Sequence, residues 1–194
     1  MVKVFLNIAV VSILLIFGVF KMDAAEAKAN DYRYEITVTQ SGKELGKMVV
    51  ELFPDVAPKH VANFDSLVSV KFYDGCAFHR VIPGFMIQGG DPNTKDKPKN
   101  TWGMGDPSQT RVPAEFNKTK HVRGILSAAR SQDPNSASSQ FFIMTSDAPH
   151  LDGQYSAYGK VVSGIEVADK IVNTPRDPRD CPLEKVEMKI RKIK

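Results

Sequence analysis

Only two cysteines, Cys76 and Cys181, and one tryptophan, Trp102, occur in the 194 residues, and no block of five like charges interrupts the chain. So few cysteines exclude a disulfide-rich scaffold. The net charge of +4, with a sequence pI near 9.0, is scattered along the chain, which gives no ground for a nucleic-acid partner. Chemistry-bearing motifs are missing too. No G-x-S-x-G elbow is present, His60, His79, His121 and His150 show neither H-x3-H nor H-E-x-x-H spacing, and no glycine loop could cradle a phosphate. A serine hydrolase, a metal enzyme and a nucleotide enzyme are therefore disfavoured, and no metal or cofactor is expected.

What the chain does contain is apolar surface in quantity: 42 % hydrophobic residues suffice for one sizeable core with a targeting segment ahead of it. Val4 to Phe20 is apolar apart from Asn7, Ser12 and Gly18, with Lys3 before it and Lys21 after. Such a run at the extreme N-terminus reads as an export signal, with small residues at Ala25-Glu26-Ala27 or Ala27-Lys28-Ala29 for the cut, or as an uncleaved anchor on the outer side of the cytoplasmic membrane. The expected division is residues 1–29 as signal or anchor and 30–194 as the functional domain, periplasmic, secreted or tethered through residues 4–20. In such a compartment Cys76 and Cys181 could pair, but spacing alone does not bring their Cα atoms within reach. Two thiols are the expectation, because free cysteine behaves as a small core hydrophobe.

From Asp31 the pattern turns to strands. Tyr32, Tyr34, Ile36 and Val38 recur at period two, and after Ser41-Gly42-Lys43 a second strand runs from Gly46 to Phe53. Pro58 opens a helix with Val61, Phe64, Leu67 and Val68 on one face. Pro92 to Pro113 is expected to be a long surface loop. Gly124–Ala128, Gln140–Met144, Ala157–Val162 and Val186–Ile190 read as further strands, and Ile165–Val172 as a short helix. With little room for parallel crossovers, the fold class is mainly β: a closed eight-stranded antiparallel barrel capped by two helices.

The stretch around which the chain is organised is Phe78-His79-Arg80-Val81-Ile82-Pro83-Gly84-Phe85-Met86-Ile87-Gln88-Gly89-Gly90-Asp91-Pro92. Its Pro-Gly pair implies two short strands joined by a tight turn, with a second bend at Gly89-Gly90. Arg80 and Gln88 then project from one surface beside Phe85 and Met86. This run closely resembles the central motif of the cyclophilins, the peptidyl-prolyl cis/trans isomerases. Gly124-Ile125-Leu126-Ser127-Ala128-Ala129-Arg130, Ser139-Gln140-Phe141-Phe142-Ile143 and His150-Leu151-Asp152-Gly153 resemble further motifs of that family, in its order. The likeness covers residues 32 to 193.

That resemblance implies an isomerase acting on X-Pro bonds without covalent chemistry, with Arg80 as the catalytic arginine. It implies an apolar proline pocket from Phe85, Met86, Phe142 and Leu151. Gln88, Gln140 and the backbone at Ala129 and Arg130 would grip the peptide. The implied partners are proline-containing peptides and folding proteins, with the protein acting as a monomer. A proline-peptide-binding chaperone with little turnover is the alternative. His79 is expected to be a structural hydrogen-bonding residue rather than a base. Thr101-Trp102-Gly103-Met104-Gly105 departs from the family's usual G-T-G-x-G loop, so Trp102 either leans over the groove or packs locally beside the Lys95–Asn100 segment. Arg130 stands where eukaryotic members have asparagine, a change expected to be harmless if only the backbone is used. His150 stands where many eukaryotic members have a tryptophan that contacts cyclosporin, so weak cyclosporin binding is expected.

Overall fold

The computed structural model describes residues 31–193, so the Val4–Phe20 run and the suggested cleavage sites lie outside the described residues. β1 (Arg33–Gln40) buries Tyr34, Ile36 and Val38 completely, as its period-two pattern requires. Ser41 and Gly42 both take positive φ, 51° and 76°, the two-residue turn whose twist matches a hairpin. β2 (Lys43–Leu52) therefore starts three residues before Gly46, and a bulge between Val38 and Thr39 absorbs the difference. β3 (Ala77–Ile82), β4 (Met86–Asp91), β5 (Ile125–Ala128), β6 (Phe141–Met144), β7 (Ala157–Ser163) and β8 (Val186–Ile193) complete a closed antiparallel barrel in the order β1-β2-β7-β5-β6-β4-β3-β8.

Two helices close the barrel. α1 (Pro58–Ser69) buries His60, Val61, Phe64 and Val68, and the Phe64 ring meets Tyr34, Tyr73, Phe141 and Tyr158 at centroid distances of 5.2–5.9 Å. Its N-cap position, Ala57, has no side chain able to cap. The carboxylate of Glu115 does so instead, accepting from the Lys59 and His60 N–H groups at 3.0 Å each and meeting His60 Nδ1 at 2.6 Å. α2 (Ile165–Val172) buries Val167, Ala168, Ile171 and Val172. Among the described residues no helix is long and apolar enough to cross a membrane.

The strands carry apolar residues on both faces, so the protein has two cores. Phe78, Val81, Ile87, Phe141 and Ile143 point into the barrel. Met86, Phe142 and Met144, the alternate residues of β4 and β6, point outward into a smaller cluster with Ile125, Leu151 and Ala157. The expected surface loop at Pro92–Pro113 is exposed or half-buried except at Asn93, Thr94 and Val112. Asp91 at the end of β4 and Asn93 and Thr94 inside the loop are buried, because the Asp91 carboxylate accepts from Asn93, Gly103 and Gly105 N–H groups and folds the loop back on itself. Cys76 and Cys181 are both buried and free, and burial pushes the Cys76 thiol up to about 11.

Candidate active site

Register places the site. Arg80 of β3 lies opposite Gln88 of β4, and Gln88 lies opposite Phe142 of β6, so the three form one row across the outer face of the barrel. Arg80 reaches that face because β3 is irregular: Phe78 pairs with Gly89 and Arg80 with Gln88, leaving His79 as an extra residue. The β3–β4 turn is closed by the Phe85 N–H donating to Ile82 O at 3.0 Å, with Gly84 at φ 75° behind Pro83. Gly90, at φ 86°, makes the second bend, and a Cβ there would stand 2.6 Å from Ser139 O.

A cavity of about 110 Å³ opens on this row, lined by Arg80, Phe85, Met86, Gln88, Ala129, Arg130, Phe142, Leu151 and Tyr155. It is far below the 300–1,000 Å³ range usual for drug-sized ligands and fits a single small apolar ring. Arg80 is exposed at its rim, and among the described residues no carboxylate pairs with its guanidinium and no hydrogen bond engages it. Beside it lies a second cavity of about 300 Å³ that shares Gln88, Ala129 and Arg130 and adds Gln140, Met104, Asp106 and Arg111. Gln140 therefore lines the neighbouring cavity. Its Nε2 donates to Gly103 O at 3.2 Å while its Oε1 accepts from Gln88 Nε2 at 3.0 Å, which leaves the Gln88 oxygen free for a peptide N–H.

Behind Phe142 lies a support that sequence reading did not find. The His121 ring stacks on Phe142 at 6.2 Å, with Nδ1 3.2 Å from Asp152 Oδ1 and Nε2 3.1 Å from Ser127 Oγ. Asp, His and Ser thus stand in the order of a hydrolase relay. Ser127 is 0 % exposed and cannot meet a substrate, so the chain of bonds serves to hold the ring of Phe142. Tyr155 was also missed. It stands edge-on to Phe142 at 5.7 Å, and its one sequence signal is an aromatic two residues after Gly153 in a loop that already carries Leu151.

His79 is buried and structural, with no side-chain hydrogen-bond partner among the described residues; it packs beneath Gly103, and burial pushes it down to about 4 against the pull of Asp91. His150 is exposed and stacks on Phe85 at 5.7 Å without lining the cavity. The Ala129 N–H donates to Gln140 O at 3.0 Å, so the backbone group Ala129 offers to a peptide in the cavity it lines is its carbonyl. Trp102 packs locally, donating from Nε1 to Lys97 O beneath the Lys99 ammonium.

The outer face of the closed barrel thus presents a small apolar pocket, an unpaired guanidinium and a free amide oxygen. Residues 35–194 match the family described as Cyclophilin type peptidyl-prolyl cis-trans isomerase/CLD, and the chain belongs to that family. A probable peptidyl-prolyl cis-trans isomerase of Brucella suis is 52% identical over 130 residues, covering 65% of this chain and 66% of that protein. An isomerase of Arabidopsis thaliana is 42% identical over 145 residues, covering 74% of this chain and 88% of that protein. A crystal structure of a Cryptosporidium parvum cyclophilin-type isomerase, in the presence of the dipeptide Ala-Pro, superposes with a TM-score of 0.73 at 33% identity, covering 84% of this chain and 99% of that one.

The buried imidazoles give the fold a pH dependence. Burial holds His60, His79 and His121 below the ordinary value near 6.5, against opposing carboxylates at Glu115, Asp91 and Asp152 respectively. Below about 6.5 the unfolded chain therefore binds protons that the folded chain refuses, so stability falls with pH until about 4, where His79 protonates in place. At about 1.4 kcal/mol per proton per pH unit, His79 alone removes roughly 2 kcal/mol by pH 5. Urea midpoints at pH 7.5 and 5.0 check this, and equal midpoints would reject it.

Proposed function

We propose that this protein accelerates rotation about X-Pro bonds in peptides and folding proteins, and that Arg80 carries the chemistry. The observation behind this reading is the row of Arg80, Gln88 and Phe142 around one small pocket, with the guanidinium unpaired. Amide resonance opposes rotation with a barrier of about 18–20 kcal/mol, and in the twisted state the proline nitrogen regains a lone pair. With the ring seated among Phe85, Met86, Phe142 and Leu151, a donor at Arg80 stabilises that nitrogen more in the twisted state than in either planar one. Each 1.36 kcal/mol or so of preference is worth about tenfold in rate. A guanidinium suits this because it stays charged at any physiological pH. A module that only bound proline peptides would gain nothing from such a group at the rim.

Arg80→Ala should lower kcat/KM by about a hundredfold or more while leaving the far-UV spectrum unchanged, since the interaction it removes is strongest in the twisted state. Undiminished turnover in the folded variant would end this assignment. We place the domain outside the cytoplasm, released after Ala27 or Ala29 or tethered by Val4–Phe20, on the strength of that apolar run and its small-residue flank. The mass of the N-terminus in membrane and soluble fractions tests it, and full-length chain found free in the cytoplasm with Met1 intact would overturn it.

Cyclosporin should inhibit weakly. His150 offers less apolar area than an indole and lies against Phe85. His150→Trp should tighten the inhibitor by about 1–3 kcal/mol with little effect on small peptides. Equal inhibition constants for the two proteins would refute that role.

A further inference from the structure

The Arg130 side chain is not idle. Its guanidinium carbon lies 4.5 Å from the Tyr155 ring centroid and 5.7 Å from that of Phe116, so the planar group sits between two aromatic rings. Its donors are spent on backbone carbonyls: Nε and Nη2 donate to Gln154 O at 3.4 and 3.0 Å, and Nη1 donates to Ser131 O at 2.9 Å and Gln132 O at 3.4 Å. Among the described residues no carboxylate pairs with it. The side chain thus ties the segment just after β5 to the residue preceding Tyr155 in the loop before β7, while covering the ring face of Tyr155. That ring lines the proline-sized cavity and stands edge-on to Phe142 at 5.7 Å.

We infer that Arg130 is a positioning residue for the substrate: its guanidinium clamps Tyr155 as one wall of the proline pocket. This rests on reading the pocket as the proline site. Planarity and the forked donors both matter, because the group must stack on one ring and at the same time bond the carbonyl of the neighbouring residue. An ammonium can do either but not both in the same geometry. Asparagine at this position would leave Tyr155 uncovered.

The test uses the full chain with Arg130→Ala, Arg130→Lys and Phe116→Ala. Two quantities are read: the dissociation constant and turnover for a short peptide with one Ala-Pro bond, and the 19F resonance of 3-fluorotyrosine at position 155. The five tyrosines of the chain are distinguished with Tyr155→Phe. Arg130→Ala should weaken peptide binding by about three- to ten-fold, the scale of one cation–π contact, with kcat within about twofold. The Tyr155 resonance should shift and narrow. Phe116→Ala, which removes an exposed ring, should give a smaller change of the same kind. Arg130→Lys should recover less than half of the lost affinity. Unchanged binding and resonance in Arg130→Ala, or full recovery with lysine, overturns the clamp. Loss of turnover in Arg80→Ala beside wild-type affinity in Arg130→Ala overturns the clamp alone, whereas full turnover in Arg80→Ala overturns the isomerase reading and leaves the ring measurement to judge the clamp.

Discussion

Between Phe78 and Val81, β3 carries one residue more than β4 opposite it, and that residue is His79. In an unbroken strand, residues two apart share a face, so Arg80 would follow Phe78 into the barrel interior, where an unpaired guanidinium would be expensive. The bulge reverses the phase. Phe78 and Val81 both point inward, while Arg80 and Ile82 point outward. The extra residue has to go somewhere, and it goes under Gly103 as a buried, neutral imidazole without a side-chain hydrogen-bond partner. A local cost of that kind is tolerated where it directs a functional group.

The second dependence is on β6, whose residues are apolar on both faces. A strand of this kind exposes Phe142 and Met144 on the outside of the barrel unless something covers them, and leaving one such side chain in water forgoes about 1.5–3 kcal/mol. The cover is supplied by His121 with its Asp152 and Ser127 bonds, by Leu151 and by Tyr155. It is incomplete over Phe142, and the gap is the pocket. On the proposed reading, a proline ring in this cavity of about 110 Å³ would complete a seal that the fold leaves open, with few polar groups needed.

Much of this was legible in the sequence because it is local. The alternation in β1, Pro58 at the start of α1, and the Pro83-Gly84 turn that brings Arg80 opposite Gln88 are each set within a dozen residues. Cover and support were not, since they join distant segments. Tyr155 meets Arg130, and His121 meets Asp152, 31 residues away, only once the chain has folded. Asn93 and Thr94 read as surface because the loop's composition is polar, yet the Asp91 carboxylate folds that loop back on itself.

The capping of α1 by Glu115 bears on the order in which this chain can take shape. Twelve residues are too few for a helix to hold alone in water, and this one begins without a cap of its own. The carboxylate it needs is 55 residues further along, and closing so long a loop carries an entropic cost of several RT. During synthesis from the N-terminus, β1, β2 and α1 emerge well before Glu115 does. They must wait, incompletely formed and with apolar faces uncovered, until β3, β4 and the loop after β4 have followed them. The early strands and α1 thus pass through an interval in which their apolar faces depend on a carboxylate that has yet to arrive.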